Sequence, residues 1–254
     1  MCLIVFDWRP GSAVPLRLAA NRDEVHARPS QALNHWEDAP HILGGRDLRA
    51  GGTWLAASRQ KRLVAVTNVR APQHSAPEAG PSRGALVHEA LECASLESWL
   101  RNLQRDGAHA YAGFNLLACD GMRMWHLHHG PTATTLSEIP AGMHGLSNAT
   151  LDTPWPKLTR ACREFHQALA APDWTQRSWE LMHDTWRPAD EQLPETGVSR
   201  DMERFLSPIF ITGETYGTRA TTLVEWQADG ALTLRERRFG PHGRPLGPEM
   251  IAQA

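Results

Sequence analysis

A cysteine stands at the second position of the chain, directly after the initiator methionine. Methionine is usually removed when a small residue follows it, and Cys2 would then carry both a thiol and a free α-amine. Because an α-amine titrates at about 7.7 to 8.0, it can accept the thiol proton during attack and return it to a leaving group. The sequence therefore predicts that loss of Met1 makes Cys2 a nucleophile with its own base. The alternative interpretation is an ordinary buried cysteine at the start of a strand.

Three neighbouring histidines are the other candidates for chemistry. His126 and His128 share one face of a predicted strand with Met124, a pattern that suits a metal or haem ligand set. Two histidines on one face rarely suffice for a metal, so we interpret them, with His129, as a polar strand end and predict no metal site. Gly51-Gly52-Thr53 lacks the Gly-x-x-x-x-Gly-Lys pattern of a phosphate loop and is interpreted as a turn entering a strand.

Length, composition and charge limit the classes of protein that this sequence can encode. The 254 residues are 41% hydrophobic with a formal net charge of -2, which predicts a single globular domain over residues 1–254 and no nucleic-acid partner. No run approaches the roughly 18 apolar residues of a membrane span, and the first residues lack a basic signal region, so we expect a cytoplasmic protein. The cysteines, at positions 2, 93, 119 and 162, form no Cys-x-x-Cys pair and are expected to be reduced.

The elements that must position Cys2 follow from hydrophobic periodicity and turn residues. Branched apolar runs bounded by glycine, proline or polar turns predict strands, several of them joined as hairpins. These strands come in groups separated by helices, and such segregation favours an α+β layered domain with mostly antiparallel sheets. The predicted strands are Cys2–Trp8, Pro15–Ala20, Thr53–Ser58, Arg62–Val69, Gly113–Asp120, Met122–His129, Thr132–Leu136, Pro208–Thr212, Ala220–Gln227 and Leu232–Phe239.

Helical spacing of apolar residues predicts four helices. Two follow Ser82, the second of them capped by Ser95; a third runs from a Thr153-Pro154 start to about Ala170, and a fourth covers Gln176 to Trp186. The proline- and glycine-rich segment from Ala71 to Pro81 is expected to be an exposed loop that could act as a lid.

A resemblance to a known family runs almost from end to end of the chain. After Met1-Cys2, the motifs that carry the resemblance are Asn21-Arg22-Asp23-Glu24, Gly51-Gly52-Thr53-Trp54-Leu55, Thr67-Asn68-Val69-Arg70, Ser82-Arg83-Gly84, Gly113-Phe114-Asn115-Leu116-Leu117, Gly145-Leu146-Ser147-Asn148 and Tyr216-Gly217-Thr218-Arg219. With these motifs the chain resembles the NRDE family, which includes the transport and Golgi organization protein 2 homologues. More remotely, it is similar to the choloylglycine hydrolase and penicillin acylase branch of N-terminal-nucleophile (Ntn) hydrolases, and this implies an Ntn-hydrolase-like four-layer αββα sandwich.

The resemblance implies a site around the start of the chain. Cys2 resembles the nucleophile, and Arg22 and Asp23 resemble the pair that orients the nucleophile and its amine. A nearby guanidinium favours the thiolate form of a cysteine. The spacing is tighter than the Arg-x-x-Asp usual in those hydrolases, so either Asp23 or Glu24 is a candidate for contact with the amine. Without the resemblance, these charges are interpreted as a structural ion pair.

The same resemblance implies three more distant site residues. Asn68 and Asn148 match the polar residues beside the oxyanion, where amide groups donate to the developing charge. Arg219 matches a late stabilising arginine. Taken alone, Asn148 is equally well interpreted as the cap of a turn.

Two functions are predicted for this cleft. The first is hydrolysis of a linear amide or related acyl bond by Cys2, which requires no cofactor. The second is a non-catalytic carrier, because the resembled family is associated with haem trafficking and with lipid or acyl-CoA homeostasis; haem or acyl-CoA would then be the ligand. The carrier would use Trp8, Trp54, Arg22, Arg70 or Arg219 as contacts. A purely structural interaction surface is a third alternative, and it predicts that the polar site residues tolerate alanine.

Overall fold

Two antiparallel β-sheets form the centre of the protein. The computed structural model describes residues 2–71 and 80–254. The first sheet has six strands in the order β10-β1-β2-β11-β12-β13, and the second has seven in the order β3-β4-β5-β6-β7-β8-β9. The strands are β1 Cys2–Trp8, β2 Leu16–Val25, β3 Ser30–His35, β4 Ile42–Asp47, β5 Leu55–Ser58, β6 Arg62–Asn68, β7 Phe114–Cys119, β8 Met124–His129, β9 Thr134–Glu138, β10 Gly142–Leu146, β11 Tyr216–Trp226, β12 Leu232–Arg238 and β13 Met250–Gln253.

Helices cover the outer face of each sheet. The α-helices of the described residues are α1 Gly84–Glu92, α2 Leu96–Asn102, α3 Pro156–Leu169, α4 Trp174–Met182 and α5 Arg200–Leu206. One apolar cluster lies between the sheets, a second joins α1 and α2 to the second sheet, and a third joins α3 and α4 to the first. The predicted α+β, four-layer αββα arrangement with antiparallel sheets is therefore confirmed. No helix within these ranges is long and apolar enough to cross a bilayer.

The alternation of side chains along β1 and β2 decides which layer each residue enters. Ile4 and Ala20 belong to the cluster between the sheets, whereas Leu3 and Ala19 pack toward α3 and α4. Successive strand residues point to opposite faces, so Cys2 shares the face of Ile4. The thiol at the second position is therefore directed into the space between the sheets, beyond the end of the apolar core.

Strand β2 is longer than predicted, and this changes the setting of the Asn-Arg-Asp-Glu motif. The prediction ended the strand at Ala20 because four polar residues follow, but β2 continues to Val25. All four motif residues pair in register with β11, with Asn21 opposite Thr221 and Asp23 opposite Thr218. These four polar residues do not end the strand. They contribute to the wall of a cleft and to a buried hydrogen-bond network.

Other departures from the sequence prediction also have local causes. Pro208–Thr212 is not a strand, because its buried backbone amides donate to separate groups and not to one neighbouring strand. Phe210 N donates to Asp184 O, and Ile211 N donates to Thr218 Oγ1. Helix α3 begins two residues after the predicted start, with Trp155 as its cap and Pro156 in its first turn. The Ser95 cap of α2 is confirmed by its bond from Ser98 N. Strands β3, β4, β10 and β13 and helix α5 are short or polar and were missed.

Two predictions concern residues outside those the structure describes. Met1, whose removal would free the amine of Cys2, is one of them. Most of the predicted lid, at residues 72–79, also lies outside the described ranges.

Asn21 ties the first sheet to the helical layer behind it. The fully buried side chain donates from Nδ2 to Met182 O at 2.8 Å and to Ile209 O at 2.9 Å, and its Oδ1 accepts from Thr221 Oγ1 at 2.6 Å.

Asn21→Ala removes these bonds and leaves buried groups without partners, so we expect the free energy of unfolding to fall by about 2–4 kcal/mol. Urea denaturation measures this. Asn34→Ala, at an exposed position of β3, is the matched control and should change stability by less than about 0.5 kcal/mol; equal effects would contradict the assignment.

Candidate functional site

A polar cleft opens between the two sheets where β1 begins and β6 ends. Its volume is about 360 Å³. Cys2 lies at its wall together with Arg22, Asp23, Asn68 and Arg219, so five of the six predicted site residues line one cavity. The other lining residues are Glu24, Arg28, Ser30, Gln31, Gly45, Arg46, Asp47, Thr53, Trp54, Val66, Thr67, Ser82, Arg83, Gly84, Tyr216, Ala220, Glu236 and Arg238.

Cys2 is held at this position by strand pairing. It lies directly opposite Arg22 in the β1–β2 ladder, so the two side chains share one face. The residue is only 7% exposed, and burial raises the pKa of its thiol. The Asp23 charge raises that pKa further, whereas the Arg22 guanidinium and a hydrogen bond from the Asp23 backbone lower it. Arg22 is thus placed to favour the thiolate in an otherwise unfavourable setting.

Asp23 and Glu24 lie on opposite faces of β2. Asp23 contributes to the cleft wall, but its carboxylate is buried on the side of the α3–α4 layer, where its Oδ1 accepts from Thr218 Oγ1 at 2.7 Å. Burial raises the pKa of Asp23, while Lys157 and the Thr218 bond oppose that rise. Glu24 Oε2 lies 3.6 Å from Arg22 Nη2, on the cleft side. Because Cys2 pairs with Arg22 and the strands are antiparallel, the backbone nitrogen of Cys2 lies on the Asp23 side of the pair.

The two predicted asparagines have different positions. Asn148 is fully buried and does not line the cleft; its Nδ2 donates to Asn68 O and to Asn68 Oδ1, both at 2.9 Å. Its own Oδ1 accepts from Ser147 Oγ at 3.2 Å. These bonds occupy the oxygen end of the Asn68 amide and direct its other end away from Asn148. Asn68 is therefore the amide at the cleft wall, and Asn148 is a positioning residue behind it.

Arg219 reaches the cleft because of a β-bulge. The register of β11 against β2 shifts between Thr218 and Ala220, so Arg219 is the extra residue. A bulge bends the strand and redirects a side chain, often beside a functional site. The Arg219 Nη1 donates to Val25 O at 3.1 Å and to Arg28 O at 2.6 Å, which ties β11 to the turn after β2.

The three histidines lie away from the cleft. Asn115 Oδ1 joins two of them, at 3.0 Å from His126 Nε2 and 2.7 Å from His128 Nδ1, and His129 Nδ1 lies 2.7 Å from Thr134 Oγ1. Burial lowers the pKa of His126 to about 4, so this ring is neutral at physiological pH. The ring nitrogens that face Asn115 are occupied by a hydrogen-bond network inside the second sheet.

Two residues at the site were not singled out from the sequence. Lys157 is buried behind Asp23 and donates to Leu206 O at 2.8 Å; burial lowers its pKa to about 8, while the Asp23 charge opposes the change. Arg83, in the cleft wall, donates to Gly113 O at 3.0 Å. Arg83 belongs to the Ser82-Arg83-Gly84 motif, which was a usable signal, whereas nothing in the sequence around Lys157 distinguishes it from a surface lysine.

The layers and the cleft together define a class. Two antiparallel sheets between helical layers, with a cysteine at the start of a central strand and opening into the inter-sheet cleft, make this an Ntn-hydrolase-like protein. The family model for "Transport and Golgi organisation 2" matches residues 1–241, and the chain belongs to that family. The predicted family is therefore confirmed.

The chain is also similar to individual animal proteins and to a solved structure. The chain is 33% identical to the mouse Transport and Golgi organization 2 homolog and 34% identical to the human one; each match covers 93% of this chain and 92% of the relative. The Drosophila melanogaster protein is 30% identical over 67% of this chain and 66% of its own. A solved Caenorhabditis elegans N-acylethanolamine-hydrolyzing acid amidase ortholog aligns over 87% of this chain and 92% of its own, with a TM-score of 0.43 and 7% identity.

The Cys2–Arg22 pair predicts how the thiol titrates. Arg22→Gln removes a positive charge that lowers the pKa of Cys2, so we expect alkylation of Cys2 by iodoacetamide at pH 8 to slow by roughly two- to fivefold. Peptide mass mapping over a pH series measures the rate at this residue. Arg17→Gln is the matched control on the same strand, because Arg17 pairs with Glu225. A rate unaffected by Arg22→Gln would show that the two side chains do not interact.

Proposed function

We propose that this protein is an N-terminal-nucleophile hydrolase that cleaves a linear amide or related acyl bond with Cys2. The observation that carries the proposal is the placement of the Cys2 side chain in the inter-sheet cleft, directly opposite Arg22 in the strand ladder. An ordinary structural cysteine on this face would continue the apolar core that Ile4 and Ala20 begin. Cys2 instead faces a polar cavity with room for a substrate.

The first half of the reaction forms a thioester. After removal of Met1, the α-amine of Cys2 takes the thiol proton while the sulfur attacks the substrate carbonyl carbon. The carbonyl oxygen becomes an oxyanion, and the Asn68 amide, oriented by Asn148, supplies a donor to it. The intermediate collapses when the carbon–nitrogen bond breaks and the ammonium group of Cys2 returns its proton to the leaving amine. The acyl group then remains on the sulfur.

The second half consumes water. The free α-amine of Cys2 removes a proton from a water molecule as its oxygen attacks the thioester carbonyl, and the thiol leaves with that proton. A carboxylic acid is released. Asp23 supports both halves in this proposal, because the backbone nitrogen of Cys2, which becomes the α-amine, lies on the Asp23 side of the Cys2–Arg22 pair, and Thr218 and Lys157 stabilise the buried Asp23 carboxylate. A carboxylate beside the amine keeps it in place and stabilises its protonated form.

Intact-mass measurement after incubation with a linear amide tests the proposal. We expect loss of Met1, turnover of N-acyl p-nitroanilides, and an acyl adduct on Cys2 after a short incubation. Cys2→Ala should lose at least about a hundredfold in turnover and form no adduct. Cys162→Ala is the matched control, since Cys162 lies on α3 with a pKa raised by burial to about 11. Retained Met1, or equal turnover by Cys2→Ala, would contradict the proposal.

A second candidate is the carrier function, which the charge of the cleft favours. Its wall contains six arginines against four carboxylates, a balance that suits the propionates of haem or the phosphates of acyl-CoA. Of the contacts predicted for a carrier, Trp54, Arg22 and Arg219 line the cleft. Trp8 is instead in the core between the sheets, and Arg70 forms a buried pair with Glu203.

Ligand titration separates the two candidates. A carrier should bind haem or acyl-CoA saturably, and Cys2→Ala should bind acyl-CoA as tightly as the unmodified protein, because no covalent step is needed. Haem iron also requires an axial ligand, for which the described cleft wall offers the Cys2 sulfur, so Cys2→Ala should change the haem absorption spectrum. Absence of saturable binding of either ligand would remove the carrier candidate.

A further inference from the structure

One row of residues crosses the first sheet beside the nucleophile. Cys2 of β1 pairs with Arg22 of β2, Arg22 pairs with Ala220 of β11, and Ala220 pairs with Arg238 of β12. Directly paired residues of antiparallel strands share one face, and all four line the cleft. Across β1, β2, β11 and β12, the row therefore presents a thiol, a guanidinium, a methyl group and a second guanidinium to the cleft.

The small residue in this row leaves a notch between two positive charges. Ala220 is flanked by Arg22 on one side and Arg238 on the other, and the bulge places Arg219 next to it in the same wall. Arg219 and Arg238 converge on Ser30: Arg238 Nη2 lies 2.8 Å from Ser30 O and 3.2 Å from Ser30 Oγ, and Arg219 Nη2 lies 3.5 Å from Ser30 Oγ. Three guanidinium groups thus surround a site with no bulky side chain of its own.

Two of these charges have no carboxylate partner within the described part of the chain, whereas Arg22 lies 3.6 Å from Glu24. Neither Arg219 nor Arg238 forms an ion pair with a carboxylate there, and Arg219 Nε is buried without a hydrogen-bond partner although the residue is only 8% exposed. Burial lowers the pKa of Arg219, and the charges of Arg22 and Arg238 lower it further. Glu236 shares this wall; its Oε1 accepts from Leu33 N, and burial raises its pKa although the charges of Arg238 and Arg22 oppose that rise. Like charges held together in a partly buried cleft are stabilised by a bound anion.

We propose that the notch at Ala220, between Arg22 and Arg238 and beside Arg219, binds an anionic oxygen group of the substrate. The inference rests on the proposed hydrolase function and adds the substrate class: an acyl compound with a carboxylate or phosphate group. Neighbouring strands are about 4.8 Å apart, so Ala220 lies two spacings, or about 10 Å, from Cys2 along the row. The anionic group should be separated from the scissile carbonyl by a similar distance.

Affinity labels of graded length test the notch without requiring turnover. Chloroacetamides alkylate an accessible thiol, and a terminal carboxylate on a spacer of increasing length would probe the distance from Cys2. We expect carboxylate labels to modify Cys2 at least about tenfold faster than their methyl esters at the matching length, and the ratio to fall with salt. A parallel phosphonate series distinguishes the two kinds of anion. Peptide mass mapping gives the rate at Cys2.

Two variants and a control locate the effect. Arg238→Gln removes one flank and Ala220→Leu fills the notch, so each should bring the carboxylate-to-ester ratio close to one. Arg235→Gln, on the same strand but paired with Glu249 on the other face, should leave the ratio unchanged. A ratio near one at every spacer length in the unmodified protein, or a full ratio in Arg238→Gln, would overturn the notch proposal. Because labelling needs only the thiol, a preserved ratio without amide turnover would instead remove the hydrolase and keep the anion site.

Discussion

The register of β1 against β2 is the constraint on which the site depends. With Cys2 opposite Arg22, the thiol faces the inter-sheet cleft and the backbone nitrogen of Cys2 lies on the Asp23 side of the pair. A slip of β1 by one residue would turn its inward side chains toward the helices. Such a slip would move Ile4 out of the core between the sheets and turn Cys2 toward the α3–α4 layer, so the hydrophobic pattern that builds the core also fixes the direction of the Cys2 thiol.

The sheet also separates two groups of charges. On the cleft side, Arg22 interacts with Glu24, and the residues that line the cleft include more arginines than acidic residues. On the helical side, Asp23 is buried with Lys157 nearby and with Thr218 as a direct donor. Buried charges are tolerated when they are paired and hydrogen-bonded. The first sheet therefore holds the buried Asp23 carboxylate on its helical side and an arginine-rich cleft, with Cys2 at its wall, on the other side.

The sequence predicted much of the fold because β1, β6, β7 and the stripe of α3 are strongly periodic. It failed where tertiary contacts decide the outcome. Strand β4 contains Gly44, whose missing Cβ lets Ala56 approach across the sheet, since an added Cβ would lie 2.7 Å from the Ala56 Cβ. Lys157 follows the pattern of an exposed helix start, but the Asp23 carboxylate and Leu206 O provide it with buried partners. The helix and strand propensities of residues do not reveal partners that are distant in the sequence.

The sequence predicted the position of the site residues about as well as it predicted the fold. Cys2, Arg22 and Asp23 lie close together, whereas Asn148 lies behind Asn68 and outside the cleft wall. No local pattern in the sequence reveals the bulge that turns Arg219 into the wall. A crystal structure of the protein after removal of Met1 would locate the amine on which the proposed hydrolysis depends. We expect the Cys2 α-amine to lie within hydrogen-bond distance of the Asp23 carboxylate while Sγ faces the cleft, as the proposed function requires. An amine bound to Glu24 instead, or a thiol turned into the apolar core, would contradict it.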